Sequence, residues 1–286
     1  MGRRHAVILT YPAHFLLTKL CIDYLQKTQP DIGEITVIVD DISVLSWPSY
    51  VQDCRELYRH RIVATSQFPE FQLLRRWPWV RQQVIKLSLD KLVTADRVFF
   101  CDGDVLLYQP VPEYATPFTI TQYLGVPLSE RDPGPGETTS QQSYYVEHLL
   151  GIPHLGVQHN NQRVCVSHPP FRDIILQDIT DLRQFIENRF GRNIISVHRD
   201  LVNDTRHSVS EWELLCWYQQ KMLGRTLELI HWPTQPLEAP ITEHSLAATC
   251  WQSDREIGHD WWQQQTIDFE RYWAILPEDK YSTISA

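Results

Sequence analysis

Apolar runs of strand length alternate with helix-period segments through the first part of this chain, and that alternation restricts its fold more than any other feature. Ala6-Val7-Ile8-Leu9-Thr10 reads as a buried strand. Phe15 to Gln26 then carries Leu16, Leu17, Leu20, Cys21, Tyr24 and Leu25 at helical spacing. Ile35 to Val39 forms a second expected strand ending in Asp40-Asp41, Val51 to Tyr58 a short helix, and Ile62-Val63-Ala64 a third strand. Trp77-Pro78 opens a helix expected to run to about Leu92, with proline near the first turn, where its missing N–H costs little. Short apolar strands separated by helices predict an α/β fold, with a mostly parallel central sheet and helices on both faces.

Parallel sheets of this kind bind ligands beyond the carboxyl ends of their strands. Thr10, Tyr11, Asp40, Asp41, Asp102 and Asp104 all fall at such ends. The richest is Phe99-Phe100-Cys101-Asp102-Gly103-Asp104-Val105-Leu106-Leu107, where two carboxylates one residue apart enter a turn between apolar runs. Successive side chains of an extended segment alternate, so Asp102 and Asp104 are expected to point the same way. Two hard oxygen ligands suit Mg²⁺ or Mn²⁺, with water and phosphate oxygens completing the shell. The plainer alternative is a solvated turn, for which Asp and Gly are ordinary residues. Convergence of polar residues on one edge favours the metal.

The second half is less regular. Thr119 to Tyr123 is an expected strand placed close to the Asp102 strand, and 132–140 a Pro/Gly-rich polar loop. Val164-Cys165-Val166 is another short strand, and Phe171 to Phe190 is read as one or two helices. Ser208 to Leu223 is read as a helix and Leu227 to Trp232 as a strand. No boundary divides the sequence, so one domain is expected over 1–286, with a first half at 1–114 that carries the acidic strand ends and a second half at 115–286.

With 26 basic and 35 acidic residues, the net charge of −9 argues against nucleic acid or an anionic membrane as the main partner. The six cysteines are dispersed without a CxxC pair, so no zinc cage or redox dithiol is expected. The opening residues lack a secretory apolar core, and no apolar stretch reaches membrane-spanning length. The expected location is cytoplasmic, compatible with a peripheral position at a membrane.

Three segments together carry a resemblance. Trp79 to Leu87, containing Gln82-Gln83 and Lys86, then Asp102-Gly103-Asp104, then Ser208-Val209-Ser210-Glu211-Trp212-Glu213, resemble the GT-A glycosyltransferases. More narrowly, they resemble an uncharacterised bacterial family of the nucleotide-diphospho-sugar transferase fold. Members more often carry a larger residue at the position of Gly103, where glycine widens the permitted backbone angles.

The resemblance implies transfer of a sugar from a nucleotide diphosphate donor to a glycan or glycolipid acceptor, as in surface polysaccharide synthesis. It also implies Mn²⁺ or Mg²⁺ held by Asp102 and Asp104, with His259 as a third ligand and His231 and His244 as competitors. Asp104 and Glu211 are the expected catalytic groups. Glu211 is placed as the base that deprotonates the acceptor, although Ser208-x-x-Glu211 also matches a helix capping box.

For the donor, Lys86 and Arg81 are expected to approach the phosphates or sugar hydroxyls. Gln82 shares a helix face with Lys86 at i, i+4. Thr10 and Tyr11 could hold the nucleotide, and Asp40 a ribose hydroxyl or base edge. Gln122, His159, Asn160 and Asn161 could line an acceptor site. A nucleotidyltransferase would want a Gly-rich basic loop after the first strand, which Thr10-Tyr11-Pro12-Ala13-His14 lacks. A non-catalytic nucleotide- or glycan-binding module is the remaining alternative.

Overall fold

A computed structural model describes residues 4–11, 15–42, 59–111, 118–127, 146–152, 157–159, 162–167, 171–205, 211–226, 229–230, 234–236 and 247–249. In chain order its strands are β1 (Arg4–Thr10), β2 (Ile32–Val39), β3 (Arg61–Ala64), β4 (Arg97–Asp102), β5 (Val105–Leu107), β6 (Phe118–Pro127), β7 (Val157–His159), β8 (Gln162–Ser167), β9 (Phe171–Ile175), β10 (Leu229–Ile230), β11 (Thr234–Pro236) and β12 (Ala247–Thr249). The principal helices are α1 (Phe15–Thr28), α2 (Pro78–Lys86), α3 (Leu176–Phe190), α4 (Ile194–Thr205) and α5 (Glu211–Trp217).

The fold is α/β. A five-stranded sheet runs β3-β2-β1-β4-β9, parallel except for the antiparallel edge strand β9. Strand periodicity explains why helices cover both faces. Val7, Leu9, Ile38, Val63, Val98 and Phe100 join one core with Val84 of α2, Leu182 of α3, Val202 of α4 and Trp212 of α5. The alternate residues Ala6, Ile8, Val37, Val39, Phe99 and Cys101 join a second core with Cys21, Ile22 and Leu25 of α1. Each buried Val, Ile or Phe gains about 1.5–3 kcal/mol over its exposed state, so reversing one strand's register would be prohibitive. The thiols of Cys21, Cys101 and Cys216 are free and buried as small apolar residues.

Three expectations need correction. The helix opened by Trp77-Pro78 ends at Lys86, and Leu89–Leu92 forms a separate short helix. Between them Leu87 (φ −76°, ψ 3°) and Ser88 (φ −128°, ψ 17°) leave helical geometry, and the Ser88 amide turns back to the Ile85 carbonyl at 2.9 Å. Strand β6 does not lie beside β4; it pairs with β8 and β10 in a second sheet. The place beside β4 belongs to β9, read from sequence as the start of a helix, whose Phe171 stacks on Phe99 at 6.2 Å. The third concerns the last helix: α5 is regular only to Trp217 and continues as a π-helical turn, Tyr218–Met222, in which Gln219 donates to Asp178, as does Arg225 beyond the turn.

The expected Val51–Tyr58 helix and the 132–140 loop lie outside the described residues. Among the described residues no helix is long and apolar enough to cross a membrane.

Candidate functional site at the carboxyl edge of the sheet

Strand β1 ends between two acidic strand ends. Its Leu9 carbonyl accepts from the Gly103 amide at 2.8 Å, and its Thr10 carbonyl from the Asp40 amide at 2.7 Å. These bonds extend the two parallel ladders by one residue and fix Asp102-Gly103 on one side of β1 and Asp40 on the other. Residues 103 and 104 form the turn between β4 and β5.

Gly103 is not in a left-handed conformation, so backbone freedom is not what the turn requires. It requires space. A Cβ at 103 would meet Thr10 Cβ at 2.8 Å and the Thr10 and Thr18 hydroxyls at 2.9 Å. Those hydroxyls bond each other at 2.6 Å, so Thr10, expected to face a nucleotide, spends its side chain inside the fold. Tyr11 follows it, partly buried at the edge.

Asp102 follows Phe100 on the face of β4 covered by α2 and α5. There Lys86, the last residue of α2, places Nζ 3.0 Å from Asp102 Oδ1 and 2.9 Å from Glu211 Oε1. The ammonium also lies 5.4 Å from the Phe100 ring centre and 5.6 Å from that of Trp212, two rings packed edge to face. Burial disfavours its charge, but the two carboxylates outweigh burial and raise its pKa.

The carboxylates are unequally placed: the Asp102 side chain is 22% exposed and that of Glu211 1%. Burial raises the pKa of both against the opposing pull of Lys86. Asp104 is pushed up to about 7, first by burial and then by the neighbouring Asp102 charge. Glu211 is drawn both to Lys86 and to the buried Arg172 guanidinium, which lies 4.9 Å from the Trp212 ring centre, so the negative charge open to a cation is that of the partly exposed Asp102 beside Asp104.

Sequence reasoning missed Gln83. Its amide, oriented so that the NH₂ donates, lies 3.1 Å from Glu211 Oε1, whereas Gln82 is only partly buried. The signal was legible: Val80, Gln83, Val84 and Leu87 fall at i, i+3, i+4, i+7, the buried stripe of a helix.

On the other side of β1, Arg81 and Asp40 meet each other. Arg81 Nε donates to Asp40 Oδ1 at 2.7 Å, and Nη1 to the carbonyls of Leu74 (3.2 Å) and Arg75 (3.3 Å). Both side chains are almost fully buried, and burial raises the Asp40 pKa despite the guanidinium. The sequence had set Arg81 towards donor phosphates and Asp40 towards a ribose; the structure turns them inwards as a pair. Asp41 is likewise occupied, by the Ser66 amide and hydroxyl and the Thr65 hydroxyl.

Among the described residues no group of three or more His, Cys, Asp or Glu side chains is arranged to hold a metal. The donor set here is the pair Asp102 and Asp104, which suits Mg²⁺ or Mn²⁺, since such ions take one or two carboxylates and fill the shell with water and phosphate. His259, His231, His244, Asn160, Asn161, Ser208 and Ser210 lie outside the described residues; Gln122 and His159 lie on β6 and β7.

Residues 16–121 match a family described as a family of unknown function (DUF6492), which is less than half of the chain. No curated protein sequence matches. Among solved structures, mouse xyloside xylosyltransferase 1 in its apo form is similar at 6% identity and TM-score 0.48, over 87% of this chain and 97% of that one. The galactosyltransferase LgtC, in complex with donor and acceptor sugar analogs, is similar at 10% identity and TM-score 0.49, over 96% and 98%. An active-site mutant of LgtC gives 10% and 0.49, over 93% and 95%.

Proposed function

We propose that this chain is a metal-dependent glycosyltransferase that moves a sugar from a nucleotide diphosphate sugar to a glycan or glycolipid acceptor, as in surface polysaccharide synthesis. One observation carries the reading: a partly exposed Asp-Gly-Asp turn, held by β1 at the carboxyl edge of a parallel sheet, with Lys86 bound to Asp102 from the buried side. Adjacent ends of parallel strands form the crevice in which such sheets take ligands. The resemblance over the α2, Asp-Gly-Asp and α5 segments points the same way.

In this reading Asp102 and Asp104 hold Mn²⁺ or Mg²⁺, with His259 as a third ligand. Bound there, the cation supplies neutralisation of charge on the departing nucleoside diphosphate. Lys86 fixes Asp102 from the buried side and adds positive potential where the anomeric C–O bond breaks. Tyr11 borders the donor at the end of β1, and the half beginning near 115 receives the acceptor, in a cytoplasmic or membrane-peripheral enzyme.

Glu211 takes a different role from the one its position in the sequence suggested. A base must reach the acceptor hydroxyl, and this carboxylate is buried against Lys86 and Gln83. It is proposed as a positioning residue that orients Lys86, a role equally compatible with a mechanism that needs no carboxylate base.

Thermal shift with UDP- and GDP-sugars, with and without Mn²⁺, tests the donor class. Stabilisation by donor plus metal is expected. Asp102→Asn and Asp104→Asn should each lower metal-dependent donor hydrolysis by roughly a hundredfold or more. Stabilisation without turnover would indicate a binding module, and hydrolysis unaffected by either variant would overturn the proposal.

A further inference from the structure

The segment joining β3 to α2 is a rigid amphipathic rim with an unusual outer face. A 3-10 helix spans Pro69–Leu74 and α2 begins at Pro78. Phe71, Leu74 and Val80 are buried and Trp77 packs partly against the same core, which gives an inward row at spacing three. The intervening Gln72, Leu73, Arg75, Arg76, Pro78 and Trp79 are all exposed. Leu73 at 42% and Trp79 at 46% are among the few exposed large apolar side chains of the described residues. Neither the Arg75 nor the Arg76 guanidinium is paired with a described residue.

The turn is fixed from beneath: Arg81 Nη1 holds the Leu74 and Arg75 carbonyls, and the Trp77 amide bonds the Leu74 carbonyl at 2.9 Å. The same guanidinium binds Asp40, so the rim is tied to the carboxyl edge where the candidate site lies.

We propose that this rim docks on an anionic phospholipid surface. Leu, Trp and Pro side chains displayed beside arginines that no described residue pairs match the interfacial zone of a bilayer, where aromatic rings sit at headgroup level and arginines meet lipid phosphates. A soluble polyanion would use the arginines and leave Leu73 and Trp79 without a role. The overall charge of −9 does not forbid this, because at physiological salt charges more than about 8 Å away are largely screened, and within the rim the two exposed arginines outnumber its one carboxylate, the half-buried Glu70. Two arginines and a few apolar groups give weak, reversible adsorption, suited to a protein that leaves the surface again. The inference goes beyond the transferase reading and does not depend on it.

Co-sedimentation of the full chain with vesicles is the test. Binding is expected to vesicles of phosphatidylcholine mixed with phosphatidylglycerol, weaker binding to phosphatidylcholine alone, and loss on raising salt. Arg75→Gln/Arg76→Gln should weaken binding about tenfold or more. Leu73→Ser/Trp79→Ser should weaken it as well while keeping the circular dichroism spectrum and lowering the melting temperature by only a few degrees, since each side chain is little more than half covered. Absence of binding to anionic vesicles at low salt would overturn the proposal. So would binding that the Leu73/Trp79 variant leaves intact, or retention on dextran sulfate without vesicle binding. Donor thermal shifts, measured separately, report on the transferase reading whatever the vesicles do.

Discussion

Arg81 and Lys86 sit five residues apart on one helix, and each meets a carboxylate at the end of a parallel strand, yet they build different sites. Arg81 donates to Asp40 and two carbonyls, and the side chains of both Arg81 and Asp40 are almost fully buried. Lys86 binds Glu211 in the interior and Asp102 at the edge, and Asp102 keeps 22% of its side chain open beside Asp104. The chemistry of the pairs is similar. What separates a sealed strut from a candidate ligand site is the exposure of one carboxylate.

The comparison is broken most forcefully at its closed end. Removing one partner of a buried pair strands the other charge, so Arg81→Met should cost about 3–5 kcal/mol in urea denaturation. Adding Asp40→Leu should recover much of that loss, and a single variant as stable as the parent would contradict the sealed pair. At the open end, Lys86→Met strands Glu211 but leaves Asp102 access to water, so its cost should be smaller, about 3 kcal/mol. It also frees Asp102 oxygens, so Mn²⁺ should raise the melting temperature of Lys86→Met more than that of the parent. Arg81→Met should show no such gain in metal response; equal responses in both variants would erase the distinction drawn here.

Gly103→Ala probes the wall between the two ends. Its Cβ would press on Thr10 and Thr18, whose short side chains have little room to yield, and overpacking should cost about 1–3 kcal/mol. The Thr18→Ala background removes one of the clashing oxygens and should return part of that cost in the same denaturation assay. If the alanine variant is neutral, the close approach does not govern this turn.

Much of the fold was legible because strand burial has a short period. Ala6 to Thr10, Ile35 to Val39 and Phe99 to Asp102 read as strands from local pattern alone, and their polar ends marked the edge. The position of β9 was not legible, since Phe171-Arg172-Asp173-Ile174-Ile175 places two charged residues inside a strand where both are buried, and no apolar alternation marks it. In the site, the acidic pair and Lys86 were readable as types and spacing. The pairing of Arg81 with Asp40 was not, because two charges 41 residues apart in sequence give no local sign of meeting. The burial of Glu211 was hidden for the same reason: its cover comes from α2, far upstream.

Acidity separates the two ends more gently, through Asp104. Its folded pKa of about 7 lies above the ordinary carboxyl value of 3.8, owing first to burial and then to the Asp102 charge. Between those values the folded state binds more protons than the unfolded chain, so stability falls as pH rises through the window. Asp104→Asn removes this contribution, and its melting temperature relative to the parent should therefore climb from pH 4 to pH 8. A cation shared by Asp102 and Asp104 opposes the same repulsion, so Mn²⁺ should stabilise the parent most near and above pH 7 and the asparagine variant little at any pH. A pH-independent difference between the two proteins would mean that Asp104 titrates as an ordinary surface carboxylate, and the repulsion from Asp102 that a shared cation is expected to relieve at the open end would be absent.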